Sequence, residues 1–181
     1  MVSRLAWFSL LLLTALGVLA DAHSRQPPGV FGFRATVEGE QFEARFKDFA
    51  VRPRLDVKRL PTGFVVQVGL RDIDSGNADL DDEMATADWF DVVAYPVARF
   101  QADEVVVTPQ GGFAANGELT MKGVQRSIAV PFSWQLTPRE IRMWGELTLD
   151  RRLFGVGPQD DSSVGAWVSV FFDLVWDVDE I

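Results

Sequence analysis

Residues 166–176 read Ala166-Trp167-Val168-Ser169-Val170-Phe171-Phe172-Asp173-Leu174-Val175-Trp176. Every second position is apolar: Ala166, Val168, Val170, Phe172, Leu174 and Trp176. Alternate side chains share a side only when the chain is extended; a helix would scatter these six around its axis. The stretch predicts a long strand with one face on apolar ground, and it sets the period sought elsewhere.

The same period recurs. Phe64, Val66, Val68 and Leu70 alternate with Gln67, Gly69 and Arg71, and Ile128, Val130, Phe132 and Trp134 alternate with Ser127, Ala129, Pro131 and Ser133. Pro61-Thr62-Gly63, Pro109-Gln110-Gly111-Gly112 and Thr137-Pro138 sit between strand-like runs, where their fixed or permissive φ values suit turns. Further strands are expected over 30–37, 41–50, 53–60, 97–107, 112–121 and 139–150. About eight or nine short strands with brief connections suggest a meander closed into a barrel or sandwich. Closure would remove edges otherwise open to pairing. One segment departs from the period: residues 77–90 place Asp79, Asp81, Asp82 and Glu83 before Met84, Ala85, Ala87, Trp89 and Phe90. Acids first and apolar residues later suit a short helix, with Asn77 or Asp79 as its N-cap.

The composition narrows the function. The chain has 181 residues, 14 Phe and 6 Trp against one Tyr, a formal charge of -9 and no cysteine. Most of its aromatic surface has no polar tip to satisfy, which favours an apolar interior. The negative charge disfavours nucleic acid and anionic membranes as partners, since phosphate binding needs clustered Lys and Arg. Without cysteine, disulfides, thiolate nucleophiles and Cys-based metal sites are excluded.

Residues 1–22 read as a signal peptide: Arg4, an apolar run from Leu5 to Leu19, then Ala20-Asp21-Ala22 as the cleavage match. The apolar run is about 15 residues, short of the about 20 a spanning helix needs. The expectation is therefore a single mature domain over 23–181, in the periplasm, with no stable membrane span after cleavage. Residues 23–29 form a polar, Pro-rich lead-in.

Three blocks of residues carry a resemblance. The first runs from Ile73-Asp74-Ser75-Gly76 through Asp81-Asp82-Glu83-Met84 and Asp88-Trp89-Phe90-Asp91 to Tyr95-Pro96 and Ala98-Arg99-Phe100. The second is Gly117-Glu118-Leu119-Thr120-Met121-Lys122-Gly123-Val124, with Val130-Pro131-Phe132 beyond it. The third is Leu149-Asp150-Arg151, then Phe154-Gly155-Val156-Gly157 and Val164-Gly165. In this order and spacing they resemble the YceI-like family of exported lipid-binding proteins. The resemblance covers residues 31–176. It implies an all-β fold, an antiparallel eight-stranded lipocalin-like barrel with one short side helix. It also implies a polyisoprenoid, an amide lipid or a quinone precursor in the lumen. The early strand His of many members has no counterpart here, because the single His, His23, precedes the first strand.

An eight-stranded barrel is either filled by its own side chains or holds one small ligand. The expected lining is Phe46, Val66, Val68, Leu70, Phe100, Leu119, Val130, Phe132, Met143, Leu147, Val170 and Phe172. Arg45 and Arg151 are candidate head-group contacts, because Arg binds phosphate bidentately. The alternative for the basic residues of the first third is a solvated outer face, and for Arg151 and Arg152 beside Asp150 a surface or rim pairing. Gly155 and Gly157 suit a bend, and plain turn geometry is the expected reading of residues 154–165, with a flexible portal as the alternative.

No catalysis, cofactor or metal is expected. The acids at 79–83 supply neither two placed carboxylates nor an alternating calcium loop; a two-His copper site would need a second His beside His23, and a Ser-His-Asp triad a His beyond the loose lead-in. The leading function is a periplasmic carrier that sequesters an isoprenoid-like or quinone-like lipid. The alternative is a ligand-free barrel serving envelope stress or protein interaction, with an exported hydrolase a distant third. Pairing into a homodimer is left open.

Overall fold

The structure is a computed structural model, and it describes residues 26–160 and 162–181. The expected signal peptide and His23 lie outside the described residues. Among the described residues the fold is all-β and antiparallel, with one α-helix. The strands are β1 (Gly29–Val37), β2 (Glu40–Phe46), β3 (Phe49–Leu55), β4 (Pro61–Gly69), β5 (Ile73–Asp74), β6 (Val97–Val107), β7 (Phe113–Met121), β8 (Val124–Leu136), β9 (Glu140–Asp150) and β10 (Trp167–Asp177). The helix α1 spans Ala78–Ala85, and short 3-10 turns cover Arg151–Phe154 and Val178–Glu180. The strand order is β3-β4-β6-β7-β8-β9-β10-β1-β2-β5, one curled sheet whose two ends are joined through the chain between β2 and β3.

That joint explains why ten segments stand where eight strands were expected. Phe42 and Phe46 of β2 face the interior, whereas Phe49 and Val51 of β3 do so at odd positions. Two residues, Lys47 and Asp48, separate successive inward side chains, so the face switches and the strand bends there. β4 switches likewise, from even positions in 64–70 to Ile73. The bends hold each other: Lys47 N–H donates to the Asp72 carbonyl at 3.0 Å and Gly69 N–H to the Asp48 carbonyl at 2.9 Å. Reading through both bends leaves eight strands around one lumen.

The expected strand boundaries shift for local reasons. The run expected at 41–50 breaks at 47–48. The run expected at 53–60 stops at Leu55, because the Asp56 carboxylate accepts from the N–H groups of Lys58 and Leu60 and closes a turn. Asn77 does cap the helix, its side chain accepting from Asp79 and Leu80 N–H at 3.1 and 3.3 Å. The helix ends at Ala85 rather than Phe90, where Thr86 turns extended and bonds back to the Glu83 carbonyl through both its N–H and its hydroxyl.

Strand direction fixes two distinct ends. The connections 37–40, 70–97, 121–124 and 150–167 lie at one end, here the capped end, which includes α1. The connections 55–61, 107–113 and 136–140, with the C-terminal turn, lie at the other, the plugged end. Between them, alternate residues of every long strand point inward. In β10, Phe172, Leu174 and Trp176 are buried by side chains, while Val168 and Val170 stay half-buried because unfilled space lies before them.

Candidate binding lumen

The interior holds two apolar chambers. The central one is ringed by side chains of β1, β3, β4 and β6–β10, among them Phe31, Val51, Phe64, Val66, Phe100, Ala115, Leu119, Ile128, Val130, Met143, Leu147, Phe172 and Leu174. The second lies toward the capped end, among Phe33, Ala35, Phe42, Phe46, Met84, Trp89, Phe90, Met121, Arg151, Val156, Val164 and Val168. Each is a cavity of about 90 Å3 set in about 600 to 650 Å3 of unfilled space that includes open solvent. Leu149 and Val170 belong to both walls and stand between the two chambers.

The plugged end is closed by rings. Phe64 meets Phe132 edge to face at 5.3 Å, Phe132 stacks on Phe113 at 5.5 Å, and Trp134 lies 6.1 Å from Trp176. The Trp134 indole N–H donates to the Arg59 carbonyl at 3.2 Å, and the Arg59 guanidinium donates to the carbonyls of Val178 and Ile181 at 2.8 Å. The polar tips are thus satisfied outside the apolar stack.

The capped end is organised by one buried cation. A guanidinium has five N–H donors, and those of Arg151 go to the carbonyls of Gly165 (2.9 Å), Val156 (2.8 Å), Pro158, Asp160 (3.0 Å) and Val164 (2.7 Å). Residues 155–160 and 162–165 wrap this side chain, which is 4 % exposed. Lys122 reaches the Gly155 carbonyl at 2.7 Å, and Gly157 N–H donates to the Asp88 carbonyl at 2.9 Å. Gly157 has φ +68° and lies under the Trp89 ring, where a Cβ would come within 2.7 Å, so conformation and space both require glycine. The turn around Gly155 and Gly157 is therefore pinned.

Of the twelve expected lining residues, nine face a chamber: Phe46, Val66, Phe100, Leu119, Val130, Met143, Leu147, Val170 and Phe172. Val68, Leu70 and Phe132 are packed into the core instead, and Phe132 belongs to the aromatic plug. Arg45 is no head-group contact in this arrangement. Ala44 and Phe46 point inward, so Arg45 points outward, 62 % exposed and paired with Glu43 at 3.2 Å. Arg151 borders the second chamber but turns its donors to loop carbonyls rather than to a head group, and Arg152 pairs with Asp150 at 2.9 Å. The sequence reading passed over Phe31, Phe33 and Ala35, although their alternation within 30–37 was available. It also passed over Met84, Trp89 and Phe90, which enter the lumen only because the helix and its following turn fold over the mouth.

The shifted carboxylates lie away from the chambers. Arg152, hydrogen-bonded to Asp150, holds that carboxyl below its usual range; Arg142 does the same for Asp173, and Lys47 for Asp74. Among the described residues there is no cluster of three metal-ligating side chains and no helix long and apolar enough to cross a membrane.

Comparison with known proteins agrees with this architecture. The chain superposes on BcnA of Burkholderia cenocepacia with a TM-score of 0.76 at 24% identity, covering 82% of this chain and 96% of that one. It superposes on the YCEI protein of Campylobacter jejuni at 0.68 and 15% identity, covering 74% and 83%. A polyisoprenoid binding domain from Saccharophagus degradans gives 0.65 at 13% identity, covering 84% and 95%. Among curated sequences, a UPF0312 protein of Vibrio cholerae is 35% identical over 66 residues, 36% of this chain and 35% of that protein. A UPF0312 protein of Azotobacter vinelandii is 30% identical over 87 residues, 47% and 45% respectively. The matched segments thus span about a third to just under half of those relatives. The family described as the YceI-like domain matches residues 21–176, and the chain belongs to that family.

Proposed function

We propose that this protein binds a long apolar lipid of the isoprenoid or quinone-precursor type in its lumen, and that it works as an exported, periplasmic carrier rather than as an enzyme. The observation that carries the reading is the pair of adjoining chambers with apolar walls that share Leu149 and Val170. A chain displacing Leu149 and Val170 to occupy both chambers would meet hydrocarbon on every side. Burial is worth about 0.8 kcal/mol per CH2, so a five-carbon isoprene unit would contribute about 4 kcal/mol before ordering costs. No polar contact is needed for such a tail. The solved polyisoprenoid binding domain with the same fold supports this choice of ligand class.

A second reading, a filled barrel that works through its surface, is favoured by the packing of Phe31 against Phe46, Phe49 and Phe172 at 5.6 to 6.0 Å. Native mass spectrometry of the protein purified from its own envelope fraction, followed by lipid extraction, separates the two. A stoichiometric apolar adduct supports the carrier. A protein that stays free of ligand after incubation with polyprenols and quinones supports the filled barrel.

A further inference from the structure

The barrel wall is not equally knitted all round. β8 pairs with β7 along Val124–Phe132, but it pairs with β9 only where Ser133–Leu136 meets Ile141–Trp144. β9 continues through Gly145–Asp150 as a partner of β10 alone. Had the β8–β9 register continued, Ala129 would sit opposite Thr148; instead the ladder ends and leaves a seam. The fork has a local cause. Pro131 has no N–H to donate across it. Gly145 lies so close that a Cβ there would stand 2.5 Å from the Pro131 carbonyl and 2.7 Å from the Phe172 ring.

The edges of the seam are apolar on their inner side. Ile128 and Val130 from β8, and Leu147 and Leu149 from β9, all line the central chamber, and Ile128, Leu147 and Leu149 are only half-buried. At its open end Arg126 Nε donates to the Leu153 carbonyl at 2.8 Å. The barrel's ends offer no comparable path: one is stacked with rings, and the other is pinned by Arg151.

We propose that this seam, between residues 124–132 and 145–150, is a lateral portal through which an apolar chain enters and leaves the central chamber. The proposal rests on the lipid-binding reading above. Opening it breaks no β8–β9 ladder bond along that length and only loosens the Arg126 tie, whereas opening either end would break a packed aromatic cluster or five hydrogen bonds. The ladders of β7–β8 and β9–β10 on either side hold the wall while the edge between them gives way.

The chain has no cysteine, so paired cysteines report cleanly. Ala129→Cys with Thr148→Cys, bridged after folding by a short bismaleimide, ties the seam. Thr36→Cys with Gly165→Cys, whose Cβ atoms would lie 3.4 Å apart, staples the capped end instead. The probe is a dansyl-labelled polyprenol in phosphatidylcholine vesicles, with uptake followed by energy transfer from tryptophan. Bridging the seam is expected to slow uptake and release about tenfold or more, with the end staple near the unmodified rate. Arg126→Ala should speed both about fivefold, the worth of one hydrogen bond. Unchanged rates in the bridged protein, or equal or greater slowing by the end staple, would overturn the portal. Failure of the unbridged protein to bind the probe at all would instead overturn the lipid-binding reading, and the portal with it.

Discussion

At one end of the barrel the rings of Phe64, Phe113, Phe132, Trp134 and Trp176 meet one another; at the other a single guanidinium gathers carbonyls from residues 156–165. The first closure is apolar area and tolerates small shifts, because any ring that fills the space recovers most of the energy. The second is directional. It depends on five donors in one plane, and no side chain other than Arg supplies them. A short-turn end can be sealed by what the strands already carry. A long-loop end has backbone groups of its own to satisfy, and it needs a polar anchor to do so.

Removing the anchor should cost most. Arg151→Met is expected to lower stability by about 4 kcal/mol, because the loop carbonyls lose their shared donor. Arg151→Lys should recover little, having three donors without the planar fork. Urea unfolding gives the magnitude, and hydrogen exchange should show protection lost over 150–166. A cost below that of the ring deletion would break the contrast between the ends. Phe64→Ala, at the plugged end, is expected to cost about 3 kcal/mol, since Phe132 and Trp134 can relax into part of the cavity. Its exchange pattern should stay near wild type at the capped end.

Smaller effects sharpen the same contrast. Val170→Phe adds bulk between the chambers and should weaken binding of a long polyprenol about tenfold while sparing one short enough for a single chamber. Equal loss for both lengths would argue that the chambers are not used in series. Asn77→Ala removes the N-cap of the helix over the capped end and should cost about 1 kcal/mol by urea unfolding.

The smallest effect is electrostatic. The lowered carboxyl of Asp150 stabilises the folded state fully above the ordinary carboxylate value of about 3.9, and that contribution is lost as pH falls through its lower folded value. Asp150→Asn should therefore lower Tm slightly near neutral pH and flatten its fall below about pH 4. An unchanged acid limb would place the effect in other carboxylates, such as Asp173.

Much of the fold was legible because its cause is local. The alternation in 166–176, 64–70 and 127–134 gave strands and their inward faces, and Asn77 before an acidic turn gave the helix start. The boundaries that moved have causes that period alone does not carry. Lys47-Asp48 switches the inward parity, and Asp56 closes a turn with its side chain. The site divided in the same way. Val66, Leu119, Val130 and Leu147 were readable as inward positions, whereas Phe132 and Leu70 share that pattern but face packed atoms rather than space.

By itself, then, the sequence determined which side chains point inward, that the interior is apolar, and the family whose blocks it carries. Only the tertiary structure decided that the interior is two adjoining chambers, that Arg45 faces out, that Arg151 is spent on a loop, and that the β8–β9 ladder ends at Trp144. A period of two assigns a face to each residue, but cavities, donors in use and missing ladder bonds depend on what stands opposite, and in a barrel that partner comes from a distant part of the chain.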